Sequence, residues 1–144
     1  MGDIETTFYI RYAETDAMGV VHHAAYIVWF EEGRSHYLRA KGADYAQLEA
    51  AGYYLAVSEV QARYLASAGY GQRVTVRTQL ESLRSRSLSL SYRVMNADSG
   101  ELLVAGRTKH ICINRQGQVT RIPDEWRRLL EQVAGCTVGP RQVT

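Results

Sequence analysis

The segment from about His23 to Lys41 constrains the fold more than any other part of the chain. Apolar side chains recur along it at the spacing of a helix, at Ile27, Phe30, Tyr37 and Leu38. Because the run from Tyr26 to Phe30 is apolar all round, the first two turns are predicted to have few solvent-facing positions and to be covered by a sheet. Gly42 follows at the position where such a helix is expected to stop.

Strand-like segments make up most of the remaining chain. The clearest runs from Ser87 to Val94, where every second residue is apolar and the residues between them are three serines and Arg93. A stretch with apolar residues on both faces at its ends, Leu102 to Ile113, is typical of a central strand. The other predicted strands are Thr7 to Tyr12, Tyr53 to Leu65, Arg73 to Leu80 and a short one from Gln118 to Ile122.

Two shorter helices complete the predicted elements. One is expected between Asp44, as N-cap, and Gly52, and another opens at Pro123 with an apolar side formed by Trp126, Leu129, Leu130 and Val133 and ends at Gly135. One long helix together with a run of antiparallel strands predicts an α+β fold in which a sheet is folded around that helix. We expect a single domain over residues 1–135 and a flexible tail over residues 136–144.

Composition narrows the classes of function. The chain has 144 residues, of which 46% are hydrophobic, and this is enough for one globular core. Its 17 basic and 15 acidic residues form no long run of like charge, so we expect neither nucleic acid nor a membrane surface as partner, and no apolar run is long enough to span a membrane. Cys112 and Cys136 match no metal or disulfide spacing, and the first residues do not resemble a signal peptide, which together predict a cytoplasmic location.

Reactive side chains are concentrated just before the long helix. Asp16, Gly19, His22 and His23 lie within a few residues of its predicted start. The first N–H groups of a helix have no partner within the helix and can receive an oxyanion, so a carboxylate beside them suggests catalysis. A metal site formed by Asp16 and the two histidines is disfavoured, because adjacent residues rarely point at one ion.

The segment from Thr15 to Tyr26, with Glu31 and Arg34 after it, resembles the acyl-CoA thioesterases of the hotdog fold, in the family of 4-hydroxybenzoyl-CoA thioesterase and YbgC. A looser resemblance extends over about residues 7–123. It implies an antiparallel sheet wrapped around one long central helix, and hydrolysis of a thioester to free acid and CoA without metal or organic cofactor. It also implies self-association as a homodimer or a dimer of dimers (a homotetramer), with active sites that draw on two chains.

The resemblance also implies roles for individual residues. Asp16 would be the catalytic carboxylate, acting as nucleophile or as general base. The backbone N–H of His23 would bind the thioester oxygen, and its imidazole could orient Asp16, bind the thioester or move a proton. The remaining implied site residues are Gly19, Val20, Tyr26 and Tyr64 for the oxyanion and substrate, and Arg84, Arg86 and Ser87 for CoA.

Each assignment has a simpler alternative. Asp16 could be only a cap, Glu31 or Glu32 could supply the base or merely pair with Arg34, and strand-end arginines are often solvated. Aromatic residues such as Tyr26, Trp29 and Tyr64 could line an acyl pocket or belong to the core. His110 is expected to be structural. A non-catalytic acyl carrier and an enoyl-CoA hydratase or dehydratase are the alternative functions, and the identity of the acyl group is left open.

Overall fold

The computed structural model describes residues 3–131, which form an antiparallel sheet crossed on one face by a long helix. Within these residues the sheet has five strands in the order β1-β3-β4-β5-β2. The strands are β1 (Ile4–Tyr9), β2 (Tyr54–Tyr64), β3 (Arg73–Leu83), β4 (Ser87–Asn96) and β5 (Leu102–Ile113). The helices are α1 (His23–Ala40), α2 (Tyr45–Ala50) and α3 (Asp124–Glu131), and a short 3-10 turn spans Tyr12–Glu14. This is the predicted hotdog arrangement.

The core lies between α1 and the face of the sheet that it covers. Trp29, Phe30 and Tyr37 on α1 are fully buried, as is the apolar face of β4 that the alternation predicted. The ring of Phe30 stacks on Tyr92 of β4 with centroids 4.5 Å apart. Close packing of this kind fixes both the rotation of α1 and its distance from the sheet.

Helix boundaries follow the sequence signals. Gly42, with a φ of 80°, lies just after α1, and the side chain of Asp44 caps α2 by accepting a hydrogen bond of 3.0 Å from the N–H of Ala46. Both predicted boundaries are confirmed. β5 lies between β4 and β2, as predicted for a central strand.

Three expectations from the sequence were wrong. β1 ends at Tyr9, because the chain then turns into the 3-10 segment. Residues 118–122 form no strand, and only Val119 makes an isolated bridge, to Ile113. Ile27 and Val28 are 39% and 53% exposed, because the sheet covers one side of α1 and leaves the other open. The expected positions of Val133, Gly135 and the tail lie outside the described residues.

A buried polar network connects α1 to the middle of the sheet. The guanidinium of Arg34, which is 6% exposed, donates to the hydroxyls of Tyr45 and Tyr92 at 2.8 and 3.2 Å. The network continues from Tyr92 through the hydroxyl of Thr108 to Nε2 of His110, with distances of 2.6 and 2.8 Å. The structural role expected for His110 agrees with this position, since the residue is fully buried.

Both edges of the sheet, β1 and β2, lack a further partner strand within residues 3–131, and the β2 edge lies beside the exposed side of α1. β2 pairs with β5 on one side and has no partner strand on the other side within residues 3–131. Apolar residues are exposed along this edge, at Val57, Val60 and Tyr64, and next to it on α1. No helix of the described part of the chain is long and apolar enough to cross a membrane.

Candidate active site

Residues 15–21, here called the Asp16 loop, connect the 3-10 turn to α1. The loop is closed at its base, because Thr15 and Val21 form an antiparallel bridge and the N–H of His22 donates to the carbonyl of Glu14 at 2.8 Å. The two ends of the loop are therefore adjacent, so α1 begins beside the end of the 3-10 turn.

The Asp16 carboxylate helps to shape this loop. Its Oδ1 accepts hydrogen bonds from the backbone N–H groups of Met18 at 2.8 Å and Val20 at 3.4 Å. Gly19, at a φ of 82°, donates its N–H to the backbone carbonyl of Asp16. The alternative that Asp16 caps its own turn is thus correct for Oδ1. The side chain is nevertheless exposed, and Oδ2 has no hydrogen-bond partner within residues 3–131.

The first turn of α1 offers a backbone donor beside the loop. His22 is the N-cap, and its Nδ1 accepts from the N–H of Ala24 at 3.1 Å while its carbonyl accepts from Ala25. The N–H of His23 has no acceptor in the described part of the chain. Since the amides of Gly19 and Val20 are engaged within the loop, His23 presents the available N–H at the positive end of the helix dipole.

Aromatic rings surround the start of α1. The imidazole of His23 stacks on that of His22 with centroids 4.5 Å apart, and the hydroxyl of Tyr64 donates to the carbonyl of His23 at 3.1 Å. Tyr26 is buried with its ring 4.8 Å from Trp29 and 5.6 Å from Tyr64, and burial raises the pKa of its hydroxyl. The predicted residues Asp16, Gly19, Val20, His23, Tyr26 and Tyr64 therefore lie on the Asp16 loop and around the start of α1.

Two supports of the loop were missed by sequence reasoning. The segment after β2 holds it from outside, because the N–H of Val21 donates to Ala68 at 2.9 Å and Val20 bridges to Gly69. The carboxylate of Glu14 holds it from inside through Arg11 and Trp29. The spacing of Arg11 and Glu14, three residues apart, was the available signal for the second support.

The residues expected to bind CoA lie elsewhere. Arg84, Arg86 and Ser87 are in and after the β3–β4 hairpin, where the N–H of Arg84 donates to the carbonyl of Ser87 at 2.8 Å. β3 begins beside the end of β1, near the Asp16 loop, and ends at this hairpin. With a rise of about 3.3 Å per residue, the two sites lie at opposite ends of the sheet within one chain, roughly 30 Å apart.

A cavity of about 390 Å³ opens between α1, α2 and the β2 edge. It includes Glu31 and Glu32, the alternative bases, but neither Asp16 nor His23 lines it. Glu31 lies 3.9 Å from Arg34, as the alternative of simple pairing predicts, and its side chain is 65% exposed. The lining residues are Val28, Glu31, Glu32, Arg34, Ser35, Tyr45, Glu49, Leu55 and Val57. Within residues 3–131 no three histidine, cysteine or acidic side chains are grouped as a metal site would require.

Comparison with known proteins places this chain in a family. Residues 10–131 match the model of the thioesterase-like superfamily. The chain is 30% identical to the acyl-CoA thioester hydrolase YbgC of Escherichia coli O157:H7 over 105 residues, which cover 73% of this chain and 78% of that protein.

Solved structures agree with the sequence match. A hypothetical protein, TT1821 of Thermus thermophilus, superposes with a TM-score of 0.85 and 40% identity over 91% of this chain and 97% of that one. A DHNA-CoA thioesterase of Staphylococcus aureus gives a TM-score of 0.86 and 31% identity over 90% and 89% of the two chains. The chain therefore belongs to the thioesterase-like superfamily and is a thioester hydrolase with the hotdog fold.

Proposed function

We propose that this protein hydrolyses acyl-CoA thioesters to a free acid and CoA, with Asp16 as the catalytic carboxylate and the N–H of His23 as an oxyanion donor, and without metal or organic cofactor. The observation that carries the proposal is an exposed carboxylate near one end of the Asp16 loop and a helix N-terminal amide, that of His23, just beyond the other end, with the two ends joined by the Thr15–Val21 bridge. Among residues 3–131, neither the Oδ2 of Asp16 nor the N–H of His23 has a hydrogen-bond partner. Relatives named as CoA thioester hydrolases support the substrate class.

Two routes are compatible with this geometry. As general base, Asp16 takes a proton from water, and the resulting hydroxide adds to the thioester carbon. As nucleophile, its Oδ2 adds to that carbon and forms a mixed anhydride, which water then hydrolyses. In both routes the tetrahedral oxyanion is bound by the N–H of His23, and the C–S bond breaks to release the CoA thiolate.

Replacement of the carboxylate tests the assignment. Asp16→Asn preserves the acceptor oxygen that shapes the loop but removes the base and nucleophile, so release of CoA thiol should fall by about 10²-fold or more. Asp44→Asn is the matched control, because the Asp44 carboxylate likewise accepts a hydrogen bond from the backbone N–H two residues further on, but it caps α2, and asparagine caps a helix equally well. Wild-type turnover by Asp16→Asn would refute the proposed role. After a single turnover in ¹⁸O-labelled water, label in Asp16 would identify the nucleophilic route, because it arises only when water attacks the Asp16 carbonyl of the anhydride.

We also propose that two chains pair through their β2 edges about a two-fold axis. The exposed apolar residues of β2 and the neighbouring side of α1 support this, because an open edge with apolar side chains otherwise invites aggregation. Because the two β2 strands would run antiparallel, the partner's sheet would be turned end to end relative to the first. The partner's β3–β4 hairpin, with the residues expected to bind CoA, would then lie at the end of the joined sheet where the first chain's Asp16 loop lies.

This pairing would also cover the mouth of the cavity, since Leu55 and Val57 of β2 line it. Val60→Glu should therefore give a monomer in analytical ultracentrifugation and reduce hydrolysis strongly, because each site would lose the partner's hairpin. Glu59→Lys, at the adjacent residue, is the control for a change of charge alone. An active monomer of Val60→Glu would contradict pairing through β2.

A further inference from the structure

The carboxylate of Glu14 occupies the base of the Asp16 loop and has three donors. Its Oε1 accepts from the backbone N–H of Arg11 at 2.8 Å, and its Oε2 accepts from the guanidinium of Arg11 at 2.6 Å and from Nε1 of Trp29 at 2.8 Å. The backbone carbonyl of the same residue accepts from His22. Glu14 thus contacts the segment that follows β1, the N-cap of α1 and the buried face of α1.

The bond to Trp29 differs from the bond to the Arg11 side chain in its surroundings. The side chain of Arg11 is 68% exposed, whereas Trp29 is fully buried and the side chain of Glu14 is 12% exposed. Exposed ion pairs contribute little, but a hydrogen bond shielded from water is strong and costly to break. Burial alone would raise the pKa of Glu14, yet the hydrogen bonds from Arg11 and Trp29 lower it, so the group stays ionised.

Trp29 is itself held rigidly. Its ring packs edge-on against Phe8 of β1 at 5.6 Å and against Tyr26 of α1 at 4.8 Å. A group bonded to its indole N–H is therefore fixed relative to both the sheet and the helix. Asp16 is two residues beyond Glu14, and His23 directly follows the residue bonded to the Glu14 carbonyl.

We propose that Glu14 is a positioning residue which, through its buried hydrogen bond to Trp29, sets the Asp16 carboxylate against the oxyanion donor at the start of α1. This inference rests on the proposed role of Asp16. Glu14 does not touch the substrate and acts only through the loop that it anchors. A small displacement of a catalytic group lowers turnover while leaving substrate binding largely intact.

Removing one donor at a time tests the proposal. Trp29→Phe keeps a large aromatic ring but lacks the N–H, and Arg11→Met removes the exposed donor to the same oxygen. Trp29→Phe should lower kcat about tenfold with KM nearly unchanged, and Arg11→Met should stay within about twofold of wild type. Equal kcat values for the two variants, or a loss that appears only in KM, would overturn the proposal.

The loss of kcat in Trp29→Phe should depend on the presence of both Asp16 and Glu14. Trp29→Phe should cause no further loss in an Asp16→Asn background, and Glu14→Gln combined with Trp29→Phe should be no worse than the more damaging single change. Additive losses in either background would contradict positioning through this bond. Should Asp16→Asn itself be fully active, the proposed function fails, whereas failure of Trp29→Phe alone removes only the role of Glu14.

A measurement that does not depend on catalysis tests the hydrogen bond even if the Trp29 variant folds poorly. The chain has two tryptophans, so two indole N–H signals are expected in a proton–nitrogen NMR spectrum. Loss of one signal in Trp29→Phe assigns it, and Glu14→Gln should shift that signal while Arg11→Met leaves it in place. An unmoved signal in Glu14→Gln would show that the bond does not form in solution.

Discussion

At the scale of single residues, glycine decides how closely α1 approaches the sheet. A Cβ on Gly33 would lie 2.5 Å from Oγ1 of Thr78 and 2.7 Å from Cγ1 of Val76. Gly106 on β5 plays the same role opposite Phe30, whose ring occupies the space of its missing side chain. The sequence shows these glycines but not their purpose, because it does not reveal which faces meet.

Gly33→Ala should destabilise the fold although alanine favours helices. Alanine in place of glycine in a helix interior contributes about 1 kcal/mol, whereas overpacking a close contact costs roughly 1–3 kcal/mol. The net expectation is a loss of up to about 2 kcal/mol in the free energy of unfolding, measured by urea denaturation. Ser35→Ala, on the same helix, should have a much smaller effect. A gain in stability for Gly33→Ala would show that α1 can move away from the sheet without loss of free energy.

At the scale of elements, the extent of α1 was more predictable than the contacts that hold its first turn. The length of the helix and the position of Asp16 before it could be predicted, because helical spacing and stop signals are local. The capping of the helix by a histidine could not, since His22 is not a usual N-cap residue. The support of the Asp16 loop by residues 66–69 also escaped prediction, because it joins segments that are distant in the chain.

His22→Ala should weaken the helix start, because it removes the only side-chain acceptor that the described residues offer to the N–H of Ala24. The expected cost is about 1 kcal/mol in the free energy of unfolding. His22→Ser, which restores a capping oxygen, should recover most of that loss. Denaturation curves for the three proteins check this, and equal losses in both variants would argue that the cap contributes nothing.

At the scale of the whole molecule, the buried network of Arg34, Tyr92, Thr108 and His110 links stability to pH. Burial, aided by the positive charge of Arg34, lowers the pKa of His110 from 6.5 to about 4. The folded protein therefore keeps this ring neutral at pH values where the unfolded chain binds a proton. Its contribution to stability is complete above pH 6.5 and is lost as the pH falls toward about 4.

We expect the free energy of unfolding to fall by up to roughly 3 kcal/mol across this interval because of His110 alone, at about 1.4 kcal/mol per pKa unit. His110→Gln should have a flatter dependence on pH between those limits, whatever its overall stability. His36→Gln, on the partly exposed part of α1, should keep the wild-type slope. Denaturation at several pH values gives both slopes, and an unchanged slope in His110→Gln would exclude this origin.

The Thr15–Val21 bridge closes the base of the Asp16 loop and leaves its outer end accessible for labelling in the intact enzyme. Met18, at the outer end of the loop, is 83% exposed, and only its backbone N–H is bonded to Asp16. A dye attached to a cysteine introduced there would lie within a few residues of the Asp16 carboxylate, the proposed catalytic group, without disturbing the core. Such a label would report the arrival and departure of ligands in real time.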